Sequence, residues 1–167
     1  MTMGGLPGGA LIFAALLAST PTVGVDDTLV MPPAGTTVLL ELSADGVQIY
    51  RCETRDGAPA WVFQAPDAVL FDATGRQVGT HGAGPRWRLE DGSAAAGTVE
   101  ASAPSPMPGA IPWLLLQAKA EDAPGRLHDA AWVRRFNTEG GAAPAGTCQP
   151  GHEARMRYSA RYAFFAR

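Results

Sequence analysis

Metal-ligating side chains are scarce in this chain, which has three histidines and two cysteines in 167 residues. Cys52 and Cys148 form no C-x-x-C pair, and His81, His128 and His152 are far apart in sequence. No metal-ligand spacing results, so neither a metal nor another cofactor is expected. Lysine is scarcer still, with Lys119 the only one, and the net charge is −3. Binding to phosphates needs a concentrated basic footprint, so nucleic acid is not expected as a partner. After the N-terminal segment no apolar run approaches the roughly 20 residues of a membrane span. Helix-length amphipathic patterns are missing too, which leaves strands to build the core.

The motifs of common enzymes are absent in the same way. Gly79, Gly82 and Gly84 give G-x-x-G-x-G, the wrong order for the dinucleotide fingerprint, and no βαβ pattern surrounds them. There is no G-x-S-x-G elbow, and nothing in the sequence marks an activating base for Ser93. "HEARM" at 152–156 begins like a zincin helix but has Met156 where the second histidine belongs.

What is present begins with "GGALIFAALLAS" at 8–19, a compact apolar run followed by small residues. It reads as the h-region of a secretory signal peptide over residues 1–24, cut after Gly24, although the segment before it has no Lys or Arg. A single domain over 25–167 would follow, secreted or periplasmic, with no membrane span. In an oxidising compartment the two cysteines would pair as a Cys52–Cys148 disulfide; in the cytosol they would remain free thiols.

Turn dipeptides punctuate the chain at Asp45-Gly46, Asp56-Gly57, Thr74-Gly75 and Asp91-Gly92. Between them lie short runs rich in β-branched and aromatic residues, so 36–42, 46–54, 59–65, 68–73, 76–81 and 85–91 read as consecutive antiparallel strands. Prolines make 101–110 a loop. Residues 111–120 read as a doubly covered strand, 129–138 as strand or short helix, and 137–152 as a second long loop. In "RMRYSARYAFF" Met156, Tyr158, Ala160, Tyr162 and Phe164 share one face, with Arg155, Arg157, Ser159, Arg161 and Phe165 on the other. The expected fold is all-β, an antiparallel sandwich or barrel with long Pro/Gly-rich loops.

"GTHGAGPRWRLEDGS" at 79–93 is the densest candidate site. Read structurally, the glycines allow a bend, Trp87 and Leu89 pack inward, and Arg86, Arg88 and Glu90 face water. Read functionally, His81, Arg86, Trp87, Arg88 and Asp91, with Asp72, line a recess for a polar ligand such as a glycan or organic anion, because an aromatic platform beside guanidinium donors suits one. As a catalyst, His81 would serve as acid or base. In either case His81, beside three glycines, is expected to be partly exposed.

"GVQIYRCET", "WVFQAPDAVLFDATGRQVGTHGAGPRWRLEDGS", "IPWLLLQAKA" and "WVRRFNTEGGAAPAGTC", in this order, resemble a secreted bacterial and fungal family known only as a domain of unknown function. The likeness spans about residues 30–167 and implies an extracytoplasmic domain with Cys52 paired to Cys148. It implies no reaction: the malate dehydrogenase label on some fungal relatives finds no dinucleotide fingerprint here. The expected function is a ligand-binding or envelope-interaction module. Alternatives are a small extracytoplasmic hydrolase using His81, and a structural or stress-related envelope protein without a small ligand.

Overall fold

The computed structural model describes residue 1, residues 27–121 and residues 123–167. The expected signal peptide lies outside the described residues. Eight antiparallel strands follow one another in space as in sequence: β1 Thr37–Arg55, β2 Ala58–Phe71, β3 Gln77–Gly82, β4 Arg86–Leu89, β5 Ala94–Ala103, β6 Trp113–Ala120, β7 Trp132–Gly140 and β8 Glu153–Ala166. The last pairs with the first over most of its length, so the sheet closes into an up-and-down barrel with no free edge. Of the sandwich and barrel expected from the sequence, the chain forms the barrel. Among the described residues no helix is long and apolar enough to cross a membrane.

Period-two alternation builds the interior. On β1 the inward set includes Leu42, Ala44, Gln48 and Tyr50; on β8 it is Tyr158, Ala160, Tyr162 and Phe164, all buried. Trp87, Leu89, Leu70, Val78, Leu116 and Val133 complete the centre, so the barrel is packed with side chains. Phe165, expected outward toward water, is also buried, at 8% exposure. Part of the outer wall is itself covered: Val30, from a short 3₁₀ turn at Asp27–Val30, packs on Ala103, Trp113 and Leu115.

The Asp56-Gly57 turn joins β1 to β2 as expected, with φ of 50° and 81°, the left-handed pair that a two-residue type I′ hairpin requires. Asp45-Gly46 is not a turn. The runs 36–42 and 46–54 are one strand, and Gly46 lies within it, paired with Ala68 on one side and Tyr158 on the other. A Cβ there would come within 2.2 Å of the Asp67 carbonyl oxygen and 2.5 Å of Ala68 Cα. Its glycine therefore serves close strand approach, which a local turn signal does not distinguish. The runs 59–65 and 68–73 likewise merge into β2. Residues 132–140 settle the choice between strand and helix in favour of strand.

Connections alternate between the two ends of the barrel. At one end lie the β2–β3, β4–β5 and β6–β7 links, and Leu127 and Ala130 of the last tuck into the core as a plug. Asp91 ties this plug down: its Oδ1 accepts from Ser93 N and Oγ at 3.0 and 2.6 Å, and its Oδ2 from Arg126 N at 2.9 Å. The β1–β2, β3–β4, β5–β6 and β7–β8 links gather at the opposite end. There the Cys52–Cys148 disulfide, with Cα atoms 5.8 Å apart, fastens the β7–β8 loop to β1. Cys52 N–H donates to the His152 carbonyl at 2.8 Å, and Tyr50 Oη donates to the Gly141 carbonyl at 2.7 Å, pinning the same loop.

Candidate functional site

The stretch 79–93 does not converge on a recess. His81 and Trp87 point into the barrel and stack face to face, ring centroids 4.7 Å apart and planes 6° from parallel. Tyr162 meets both rings edge-on, at 5.0 and 5.5 Å, and Phe164 meets Trp87 at 5.7 Å. The expectation of a partly exposed His81 is corrected by its 3% exposure, a consequence of β3 continuing to Gly82 and carrying the ring inward by alternation. Its Nδ1 lies 3.0 Å from the Arg86 carbonyl, which makes Nδ1 the protonated nitrogen of the neutral ring. Burial lowers its pKa to about 4; the bond to the Arg86 carbonyl opposes this and the Arg135 cation reinforces it.

The remaining residues of that stretch lie elsewhere. Arg86 and Arg88 are on the outer face, Arg86 paired with Glu121. Asp91 sits at the plugged end; burial works to raise its pKa, but the hydrogen bonds from Ser93 and Arg126 outweigh it and hold the carboxyl at about 2. Asp72 accepts from Thr74 and Arg76 within the β2–β3 turn. Among the described residues no group of three or more His, Cys, Asp or Glu is placed to hold a metal ion.

A different site forms at the opposite end. The mouth of the barrel is a cavity of about 470 Å³, within the range of small-molecule sites. Phe63, Pro66, Val99, Ile111, Pro112 and Leu114 supply an apolar wall, closed by Gly84-Pro85 of the β3–β4 turn. Gln48, Tyr50, Gln64 and Arg135 supply its polar atoms. A bulge shapes one side: opposite Ile49 and Tyr50 the β2 register skips from Ala65 to Phe63, leaving Gln64 extra. Bulges re-aim side chains, and here Phe63 comes edge-on to Tyr50 at 5.7 Å while staying 49% exposed at the rim.

Among the described residues Arg135 is the one charged residue in that wall. Strand alternation separates it from its neighbour: Arg134 faces outward, pairs with Asp27 at 3.1 Å and lies over Phe136 at 4.8 Å, whereas Arg135 faces the mouth. Its Nε and Nη2 donate to the Pro112 carbonyl at 3.1 and 2.8 Å. That carbonyl is held in turn, because the preceding Ile111 donates its N–H to Gly140 O at 2.9 Å and accepts from Thr138 Oγ1 at 2.5 Å. Among the described residues no carboxylate lies within ion-pair distance of Arg135. Its positive charge bears on Tyr50, Tyr158 and Tyr162, whose phenol pKa values are nonetheless raised by burial, so all three stay protonated at neutral pH.

Gln48 adds a second feature. It is 2% exposed; its amide lies against the Tyr158 hydroxyl, but among the described residues its Nε2 meets no partner in good hydrogen-bonding geometry. A buried donor left unpaired costs about 1–3 kcal/mol. Neither Gln48 nor Arg135 stands out by residue type in the sequence. The available signal was period: Leu42, Ala44, Gln48 and Tyr50 share one face of β1, and Arg135 lies two residues after the buried Val133.

Fold and cavity together define a small, eight-stranded, disulfide-tied β-barrel that is plugged at one end and open at the other. The chain belongs to the family described as Protein of unknown function (DUF3455), which matches residues 33–166 and so takes in the whole barrel. A search of the curated proteins finds no match.

Proposed function

We propose that this protein is an extracytoplasmic binding module that holds a small molecule with an apolar body in the mouth of its barrel. The observation that carries the reading is a preformed cavity of about 470 Å³ whose wall is apolar apart from Arg135 and the polar side chains of Gln48, Tyr50 and Gln64. The apolar walls would supply affinity by excluding water, and the few polar side chains would orient the ligand. The disulfide supports an oxidising location. Because Phe63, Val99, Ile111 and Leu114 dominate the walls, an apolar-bodied ligand suits the mouth better than the glycan suggested by the sequence.

A neutral apolar fluorophore, N-phenyl-1-naphthylamine, tests this on the full chain. Saturable enhancement at one site per barrel is expected, weakened at least several-fold by Phe63→Asp. That change lies at a half-exposed rim position and should leave the melting temperature nearly unchanged. Absence of saturable enhancement with the folded protein would overturn the reading.

A further inference from the structure

We infer that the mouth is selective for a monocarboxylate, its anionic head against Arg135 and Gln48 and its hydrocarbon between Phe63, Val99, Ile111 and Leu114; this deepens, and rests on, the binding reading above. The head group follows from charge. Arg135 carries the only formal charge on the cavity wall, and no carboxylate of the described residues compensates it. Glu53, which reaches the lining residue Gln64 at 3.0 Å, is also engaged by Arg55 at 2.9 Å. One cation calls for one negative charge, which favours a carboxylate over a phosphate dianion.

Geometry agrees with charge. The Pro112 carbonyl takes donors from Nε and Nη2, and a guanidinium has five N–H donors, so donors remain for a ligand even with the Tyr162 hydroxyl at hand. Anchoring on a carbonyl fixes the plane of the guanidinium without neutralising it, which preorganises the group for a planar anion. Gln48 borders the same cavity from the β1 side, and a small turn of its buried amide would bring a further donor to the head group. Tyr50, whose hydroxyl hydrogen is committed to the Gly141 carbonyl, presents lone pairs rather than a proton and so contributes no rival anion site.

The test is displacement of N-phenyl-1-naphthylamine from the full chain by matched acid and alcohol pairs at neutral pH, octanoate against 1-octanol and 3-phenylpropionate against 3-phenyl-1-propanol. Each acid should compete about tenfold or more better than its alcohol, the scale of one charge-assisted hydrogen bond. The two pairs distinguish an aliphatic from an aromatic body. Arg135→Gln should abolish the acid preference, read as the ratio of acid to alcohol competition. If that variant fails to fold, Gln48→Met provides the second arm and should reduce the preference several-fold. Equal competition by acid and alcohol would overturn the carboxylate inference and leave the binding reading standing; no fluorophore binding and no competition by any of the four would overturn both.

Discussion

Acidification from pH 7 to pH 4 should remove about 3 kcal/mol of folding stability, with His81 as the cause. The ring is 3% exposed, stacked on Trp87, and its pKa falls from 6.5 to about 4, first through burial. Above pH 6.5 both folded and unfolded chains carry neutral imidazole, and stability is present in full. As pH falls below 6.5 the unfolded chain takes up a proton that the folded barrel refuses until about pH 4. At about 1.4 kcal/mol for every tenfold change in proton affinity, the difference amounts to about 3 kcal/mol. Asp91, also depressed, loses its contribution only between 3.8 and about 2, below this window. Urea unfolding at steps from pH 7 to 4, on the protein and on His81→Phe, measures the effect. The variant retains an aromatic ring on Trp87 but gives up the bond to the Arg86 carbonyl, so it should start about 1 kcal/mol less stable. It should then lose much less on acidification, and the two curves should cross between pH 6.5 and 4. Parallel curves, or an imidazole that titrates near 6.5 in the folded protein, would refute the burial argument.

Trp87→Ala should cost roughly 3–5 kcal/mol in a denaturant titration, because the indole is fully buried and touches His81, Tyr162 and Phe164. Gln48→Met should raise the unfolding free energy by about 1 kcal/mol in a urea titration, since it removes a buried donor without a well-placed acceptor at similar volume; a loss of stability would show that the amide already has its partner. Reducing the Cys52–Cys148 bond, which spans 96 residues of sequence, should cost up to about 4–5 kcal/mol through loop-closure entropy, read from urea midpoints with and without reductant.

The sequence carried the all-β architecture, three of four hairpin turns and the facing of β8 apart from Phe165, because each is a local or strictly periodic signal, and it carried the Cys52–Cys148 bond because two cysteines allow one pairing. Gly46 was misread because its dipeptide has turn composition while its role is set by Ala68 and Tyr158 on neighbouring strands. Strand β5 was unread for a related reason. Its "AAAGTVEASA" is dominated by residues of weak strand preference, yet small side chains are what the centre leaves room for: a Cβ on Gly97 would lie 3.0 Å from Trp87 Cζ3 and 3.0 Å from Leu116 Cδ2. Closure was out of reach as well, since barrel and sandwich differ only in whether β1 meets β8, a contact across nearly the whole chain.

Buried donors without acceptors separate scaffold from site more sharply than residue type does. Trp87 and Trp113 each bury an indole N–H that has no partner among the described residues. Trp87 lies among the packed side chains of the barrel centre and Trp113 in the outer cluster beneath Val30, so their cost belongs to aromatic packing. Gln48 Nε2 is different, because its residue borders a cavity that also holds an uncompensated guanidinium. Packing gains nothing from an amide there that a methionine would not supply. The two ends of the barrel make the same contrast. At the plugged end Asp91 is saturated by Ser93 and Arg126, and Leu127 fills the interior. At the open end Arg135 is anchored but not neutralised, Gln48 is desolvated but not paired, and Phe63 is brought to the rim by a bulge without being covered. A stability-driven design would close both ends in the first manner; the open end departs from that rule, and the proposed ligand is what would complete it.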